Sequence, residues 1–325
     1  MRTCKLIFTT LLASVLLCGC GKQANNIVAQ ETTKSKVYFI KEINSENILK
    51  IYEALGRKAE GNNVAVKVST GEPGGHHFLD PQLIKAFVQT VNGTIVECNT
   101  AYAGGRNTKE DHLKAAEQHG FTAIAKVDIM DGDGEIEIPI KGGKHITSFL
   151  CGKNMPSYDF MVVLSHFKGH AMGGFGGAIK NMSIGCASRN GKARVHSAGA
   201  SDDPNVAWNK LPQQEIWLES MAEGAKAITD YYGDKILYIS IANNLSVDCD
   251  CDSHPAAPEM VDLGIFASLD PVALDKACTD AVRNSDDKGK AALIKRIDSR
   301  KGMHTLDYAE QLGMGSQQYE LIELK

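Results

Sequence analysis

Asn63-Val-Ala-Val-Lys-Val-Ser69 is a short β-branched run that breaks at Gly71-Glu-Pro-Gly-Gly75, and Asp80-Pro81 then supplies an N-cap and a first-turn proline. Leu83, Ile84, Phe87, Val88 and Val91 recur at helical spacing, Gly93 stops that helix, and Thr94-Ile-Val-Glu-Cys98 reads as the next strand. Asn99 to Asn107 is a glycine-containing loop, Thr108 to His119 a second helix ended by Gly120, and Ala123 to Ile129 a third strand. Strand, helix, strand, helix, strand is the order of a parallel sheet. Asp131-Gly-Asp-Gly134 reads as a turn, because the rest of a calcium-loop ligand pattern is missing.

The theme restarts beyond Pro156. Tyr158 to Leu164 is a strand, followed by a glycine-rich stretch to Gly185. Trp217, Met221, Ala225, Ile228 and Tyr232 fall along one stripe of a helix over roughly Pro212 to Tyr232. Lys235 to Ala242 and Leu263 to Ala267 are further strands, Asp270-Pro271 starts a helix through Val282, His304 to Leu312 is helical, and Gln318 to Leu324 closes with a strand. The expected fold class is α/β: two related lobes, 36–153 and 154–325, with mostly parallel sheets and flanking helices.

Working outward to the chain start, Met1-Arg-Thr-Cys-Lys5 is positive and Leu6 to Leu17 apolar, too short for a stable membrane span but suited to an export signal. Gly19 directly before Cys20 resembles a bacterial lipoprotein signal over 1–19, with Cys20 lipidated; an ordinary secretory signal is the alternative. Polar residues 20–35 read as a flexible tether. The expected address is therefore the bacterial cell envelope, lipid-anchored through Cys20 to a bilayer and facing water outside the cytoplasm.

Thirty-five Lys and Arg against 39 Asp and Glu give a net charge of −4, which disfavours nucleic acid as a partner. Hydrophobic content of 43% excludes wholesale disorder. Six cysteines follow Cys20; Cys98 and Cys278 lie in apolar segments and are expected as buried free thiols.

Chemistry concentrates in three segments that each follow a strand, where open α/β sheets bind ligands. In the first, Gly173, Gly174, Gly176 and Gly177 let a backbone come close to something, either a ligand or a packed strand. A helix beginning near Gly176 would favour an anion, with Lys168 and Lys180 adding charge. His166 and His170, four apart, suit a metal or, singly, acid–base work; a merely structural pair is the alternative. The second segment, Asn243 to His254, carries Asp248, Cys249, Asp250, Cys251, Asp252 and His254, whose thiolates would select zinc or iron; a polar loop holding two cysteines by chance is the other reading. The third joins Glu72 of Gly71-Glu-Pro-Gly-Gly-His-His77 to Tyr102 and Arg106, the arginine being a carboxylate or phosphate clamp or an ordinary surface residue.

Gly71-Glu-Pro-Gly74, Asn99-Thr-Ala-Tyr-Ala-Gly-Gly-Arg106, His166 to Cys186, Asp248-Cys-Asp-Cys251 and Asp270-Pro-Val-Ala-Leu-Asp275 resemble, in this order, the family catalogued as domain of unknown function 362. The resemblance runs from about Val37 to Leu324. Members are often labelled iron–sulfur centre proteins, but the ferredoxin-like insert of many relatives is absent, since Ala198 to Gln214 holds no cysteine. A ferredoxin-type cluster is therefore not expected, and Cys186, Cys249 and Cys251 would give three thiolates only. Two functions stay open. One is a metal-dependent enzyme, with redox chemistry among its options, holding zinc or iron through His166, His170, Cys249, Cys251 and Asp248. Lys168, Lys180 and His170 would then act on a small anion. The other is a non-catalytic lipoprotein that captures a small anion.

Overall fold

A computed structural model describes residues 34–325, one compact unit. The signal segment, Cys20 and nearly all of the tether lie outside the described residues. Strands are β1 (Ser35–Ile40), β2 (Val64–Lys67), β3 (Gly93–Glu97), β4 (Val127–Ile129), β5 (Glu135–Pro139), β6 (Ser148–Gly152), β7 (Phe160–His166), β8 (Lys168–His170), β9 (Gly174–Gly176), β10 (Ile236–Ala242), β11 (Gly264–Ser268) and β12 (Tyr319–Glu323). Eight form one sheet in the order β12-β1-β11-β10-β7-β2-β3-β4. All run the same way except β11, antiparallel to both β10 and β1. The fold is thus α/β around a mostly parallel sheet, as the alternating pattern implies.

The two lobes are a single sheet. β7, from the second half, pairs with β2 from the first, so the boundary near Lys153 separates no sheets. What repeats along the chain is instead sorted onto two faces. Strand residues alternate between them: Val162 and Leu164 join Ile48, Ile51, Ile84 and Phe87 of the helices Ser45–Ala54 and Pro81–Thr90. Met161 and Val163 join Met182, Trp217, Met221, Val272 and Cys278 from the helices Ala178–Cys186, Gln214–Tyr232 and Pro271–Asn284. Burial on both faces is why these strands read as near-continuous apolar runs.

Local signals set the boundaries. Asp80 and Asp270 cap their helices through Oδ1, each ahead of a first-turn proline, and Thr108 caps Lys109–Gln118. The strand expected from Ala123 is shorter, because Phe121–Ala123 makes a 3₁₀ turn first. A β5–β6 hairpin fills the interval before Lys153. Among the described residues no helix is long and apolar enough to cross a membrane.

β2 and β7 are neighbours, yet β2 continues to β3 on one side and β7 to β10 on the other. The chain therefore reverses its winding direction between them, and their carboxyl ends frame a crevice.

Candidate functional site

The crevice holds a cavity of ≈ 120 Å³, lined from the ends of β2, β3 and β7, the helix Ala178–Cys186, and the loops around Tyr102 and Asp250. Cavities of roughly 150 Å³ hold benzene, so this one admits a small metabolite or inorganic anion but no dinucleotide.

Two charged residues end buried strands here. Lys67, 1% exposed, reaches Asn181 Oδ1 at 3.0 Å and stands 3.7 Å from Glu97. Glu97 accepts from Thr70 N (2.5 Å) and Thr70 Oγ1 (2.8 Å), and faces Arg106 at 3.4 Å and His112 at 3.6 Å. Burial alone would raise Glu97; Lys67, His112 and Arg106 outweigh it and hold the carboxyl well below its usual range. Neither residue was singled out from sequence. The legible signal was a charge inside an otherwise apolar strand, in Val-Ala-Val-Lys-Val and Thr-Ile-Val-Glu.

On the far wall, Lys168 of β8 pairs with Asp250, whose carboxylate also lies 3.2 Å from His166 Nδ1. His166 Nε2 sits 2.6 Å from the Asn243 carbonyl, which only accepts, so Nε2 carries a proton. Nδ1 faces the Asp250 carboxylate, whose proton-bearing partner is Lys168. Burial and Lys168 both push His166 well below its usual range, so the ring is neutral with its one proton on Nε2. Gly169 permits this meeting: a Cβ there would overlap the Val247 backbone, against which Gly169 N donates to Ser246 O at 2.8 Å.

Glu72 and Arg106 pair with each other, Nε to Oε2 at 2.9 Å. The rest of the guanidinium is spread between Glu97 and the Tyr102 hydroxyl, both at 3.4 Å. Arg106 thus ties its loop to the Glu72 loop and is not a free clamp. Glu72 N donates to Asp250 O at 2.7 Å and Tyr102 Oη to Cys251 O at 3.2 Å, so three loops make one wall.

The helix Ala178–Cys186 does begin at the glycine-rich stretch, but its first amides are taken. Ala178 N and Ile179 N donate to the buried Asp275 carboxylate at 2.7 and 3.0 Å, and that carboxylate occupies the space a Gly177 side chain would fill. The anion expected at this helix start is the chain's own. Burial raises Asp275 to about 7 against the opposing pull of those two N–H bonds. Gly176 and Gly177 line the cavity. Gly173 gives its N–H to His170 Nδ1 (2.8 Å), and Gly174 packs on Ile297 and Gly302.

Lys180, His170 and His196 keep free polar atoms for a ligand, and the buried Thr100 hydroxyl in the same lining has no partner either. Lys180 makes no hydrogen bond or ion pair among the described residues. Burial, with Lys67 and Arg106 nearby, draws its ammonium down to about 8. His170, held neutral by burial, accepts at Nδ1 and therefore presents Nε2–H. His196 is the reverse. Nδ1 donates to Lys192 O at 2.7 Å, burial lowers its pKa to about 4, and Nε2 is left as an acceptor between Trp208 and Trp217. Lys192 is spent on the carbonyls of Ala187 (2.6 Å) and Cys98 (3.3 Å). His196 and Lys192, one helical turn apart, carried no distinguishing sequence signal.

The residues expected to hold a metal divide. Ligand atoms of His170, Cys249 and Cys251 lie within 4.8 Å of one another. Cys249 and Cys251 are joined as a disulfide, however, and offer no thiolate in this form. A histidine ligand normally donates its other ring nitrogen to an acceptor, whereas His170 Nδ1 receives an N–H. His166 is engaged at both nitrogens, and Asp248 pairs with Arg296 at 3.0 Å. The set fits a metal only if the disulfide is reduced and His170 changes tautomer. Cys98 and Cys278 are buried free thiols, as are Cys151 and Cys186.

The family model described as a domain of unknown function, DUF362, matches residues 64–280. No curated protein matches the sequence. Among solved structures, the lactate racemase apoprotein from Thermoanaerobacterium thermosaccharolyticum is similar at 15% identity and a TM-score of 0.44, covering 76% of this chain and 56% of that one. A Thermotoga maritima protein from a structural genomics consortium is similar at 13% and 0.43, covering 74% and 58%. The chain spans little more than half the length of either.

Proposed function

The chain belongs to the DUF362 family, and from that premise we propose that it is an enzyme that binds a small anion in the crevice and moves a proton on it. The observation that carries this reading is the unpartnered Lys180 ammonium in a cavity of cationic excess. Lys67, Arg106, Lys168, Lys180 and Lys192 surround it, against the carboxylates of Glu72, Glu97 and Asp250. Burying surplus charge is costly unless something neutralises it, and an anionic ligand would. Lys180 and His170 Nε2–H would hold the anion, and His196 Nε2 would accept a proton from a hydroxyl or similar group on the same molecule. Calorimetry with acetate, oxalate and inorganic phosphate tests the binding. One of them should bind at one per chain, and Lys180→Met should weaken it at least tenfold, about 1.4 kcal/mol. Equal affinity of the variant would overturn the reading. Exchange of a ligand proton with heavy water distinguishes catalysis from plain capture.

A metal-dependent reading draws on the convergence of His170, Cys249 and Cys251 and applies to the dithiol form alone, where those residues would hold a zinc-like ion. We further propose that the protein works in the cell envelope, anchored through a lipidated Cys20. Cys20→Ala should release it from the membrane fraction, and unchanged fatty-acid labelling would refute the anchor.

A further inference from the structure

Among the described residues Cys249–Cys251 is the sole disulfide, and every other cysteine there is a buried free thiol. It is a poor staple, because a bridge across one intervening residue removes little entropy from the unfolded chain. Its loop is already held by other means: Asp250 O accepts from Glu72 N, Cys251 O from Tyr102 Oη, and Cys249 O from Asp252 N at 3.0 Å. Its position is distinctive. The same two cysteines line both the inner cavity and a separate outer groove bounded by Glu72, Pro73, Gly104 and Ser253. With Tyr102, which also lines both, the bond stands between the outer groove and the site.

We infer that Cys249 and Cys251 are an exchangeable two-electron couple that takes its electrons from a dithiol entering the outer groove. Cys251 is the sulfur attacked, since it is partly exposed, while Cys249 is 5% exposed. A thiolate of the incoming dithiol bonds to Cys251 Sγ, the S–S bond breaks, and its electron pair leaves on Cys249 Sγ. The departing thiolate faces the cationic cavity, with a His170 ring nitrogen within 4.8 Å, an environment that stabilises it until it takes a proton. The second thiol of the dithiol then attacks the mixed disulfide. It leaves as a disulfide and frees Cys251 as a thiol, so two electrons and two protons have passed to the pair. The couple stands independently of the anion reading, for it needs no ligand in the cavity.

Differential alkylation with peptide mapping tests it on the full chain under native conditions. Brief dithiothreitol treatment should make Cys249 and Cys251 alkylatable together, with Cys98, Cys151, Cys186 and Cys278 protected until unfolding. A bond that resists dithiothreitol in the folded protein would overturn the inference without any variant being made. Cys249→Ser should form a mixed disulfide with Ellman's reagent at Cys251 at least tenfold faster than Cys251→Ser does at Cys249. Equal rates would overturn the assignment of the attacked sulfur.

Discussion

Lys168 and Asp250, 82 positions apart, meet as a buried ion pair whose side chains are 3% and 4% exposed, and His166 completes the trio on the same carboxylate. One carboxylate therefore meets two buried side chains at once, the Lys168 ammonium and the His166 ring. Asp250→Asn should destabilise the fold by about 3–5 kcal/mol, the scale for stranding one member of a buried pair. Urea denaturation reads this directly. A Lys168→Met, Asp250→Leu double variant should recover most of the loss, because no charge is then left unpaired.

Lys180 sets the pH response of binding. Its folded value near 8 lies below the ordinary 10.5, and an anion needs the ammonium form. Affinity should be steady below pH 7 and fall about tenfold per unit above 8. The unliganded protein behaves oppositely: between 8 and 10.5 the unfolded lysine holds more protons than the folded one, so this group's contribution to stability rises with pH. Binding isotherms that stay flat from pH 7 to 9.5 would count against Lys180 as the anion's partner.

Gly169→Ala would drive a methyl into the Val247 backbone and push β8 off the Asp250 loop. A loss of about 1–3 kcal/mol is expected from overpacking. At Gly176 the nearest atom to an added Cβ is Lys180 Cδ at 3.5 Å, so Gly176→Ala should leave the melting temperature nearly unchanged. Thermal unfolding of the two variants side by side makes the comparison.

Asp275→Ala should remove the cap from Ala178–Cys186 and cost about 1–2 kcal/mol. It should also open that helix start to free anions. Sulfate should therefore raise the melting temperature of the variant more than that of the parent protein, and equal responses would mean that the amides stay shut.

The fold was legible where local chemistry and burial agreed. Asp80-Pro81 and Asp270-Pro271 mark true helix starts, and the apolar runs at β2, β3, β7 and β10 are true strands. The single sheet was hidden because pairing of β2 with β7 is a non-local choice that no window of sequence contains. At the site, the motif segments around Lys168, Lys180 and Cys249 do line one cavity. Partners were not readable: that Arg106 is consumed by Glu72, and the helix start by Asp275, depends on residues far along the chain. Lys67 and Glu97 passed as strand residues because their neighbours are so apolar.

β1 lies between β11 and β12, and this placement governs how the chain can be made. The first strand described finds its two partners in the last two strands described. During translation it must wait with both edges unpaired while the strands of the crevice, β2, β3, β7 and β10, can already assemble beside it. A nascent chain would thus carry a formed crevice and an open sheet edge at once, a state prone to pairing with a second copy. Arrival of β11 and β12, rather than assembly of the crevice, is the event that completes the sheet.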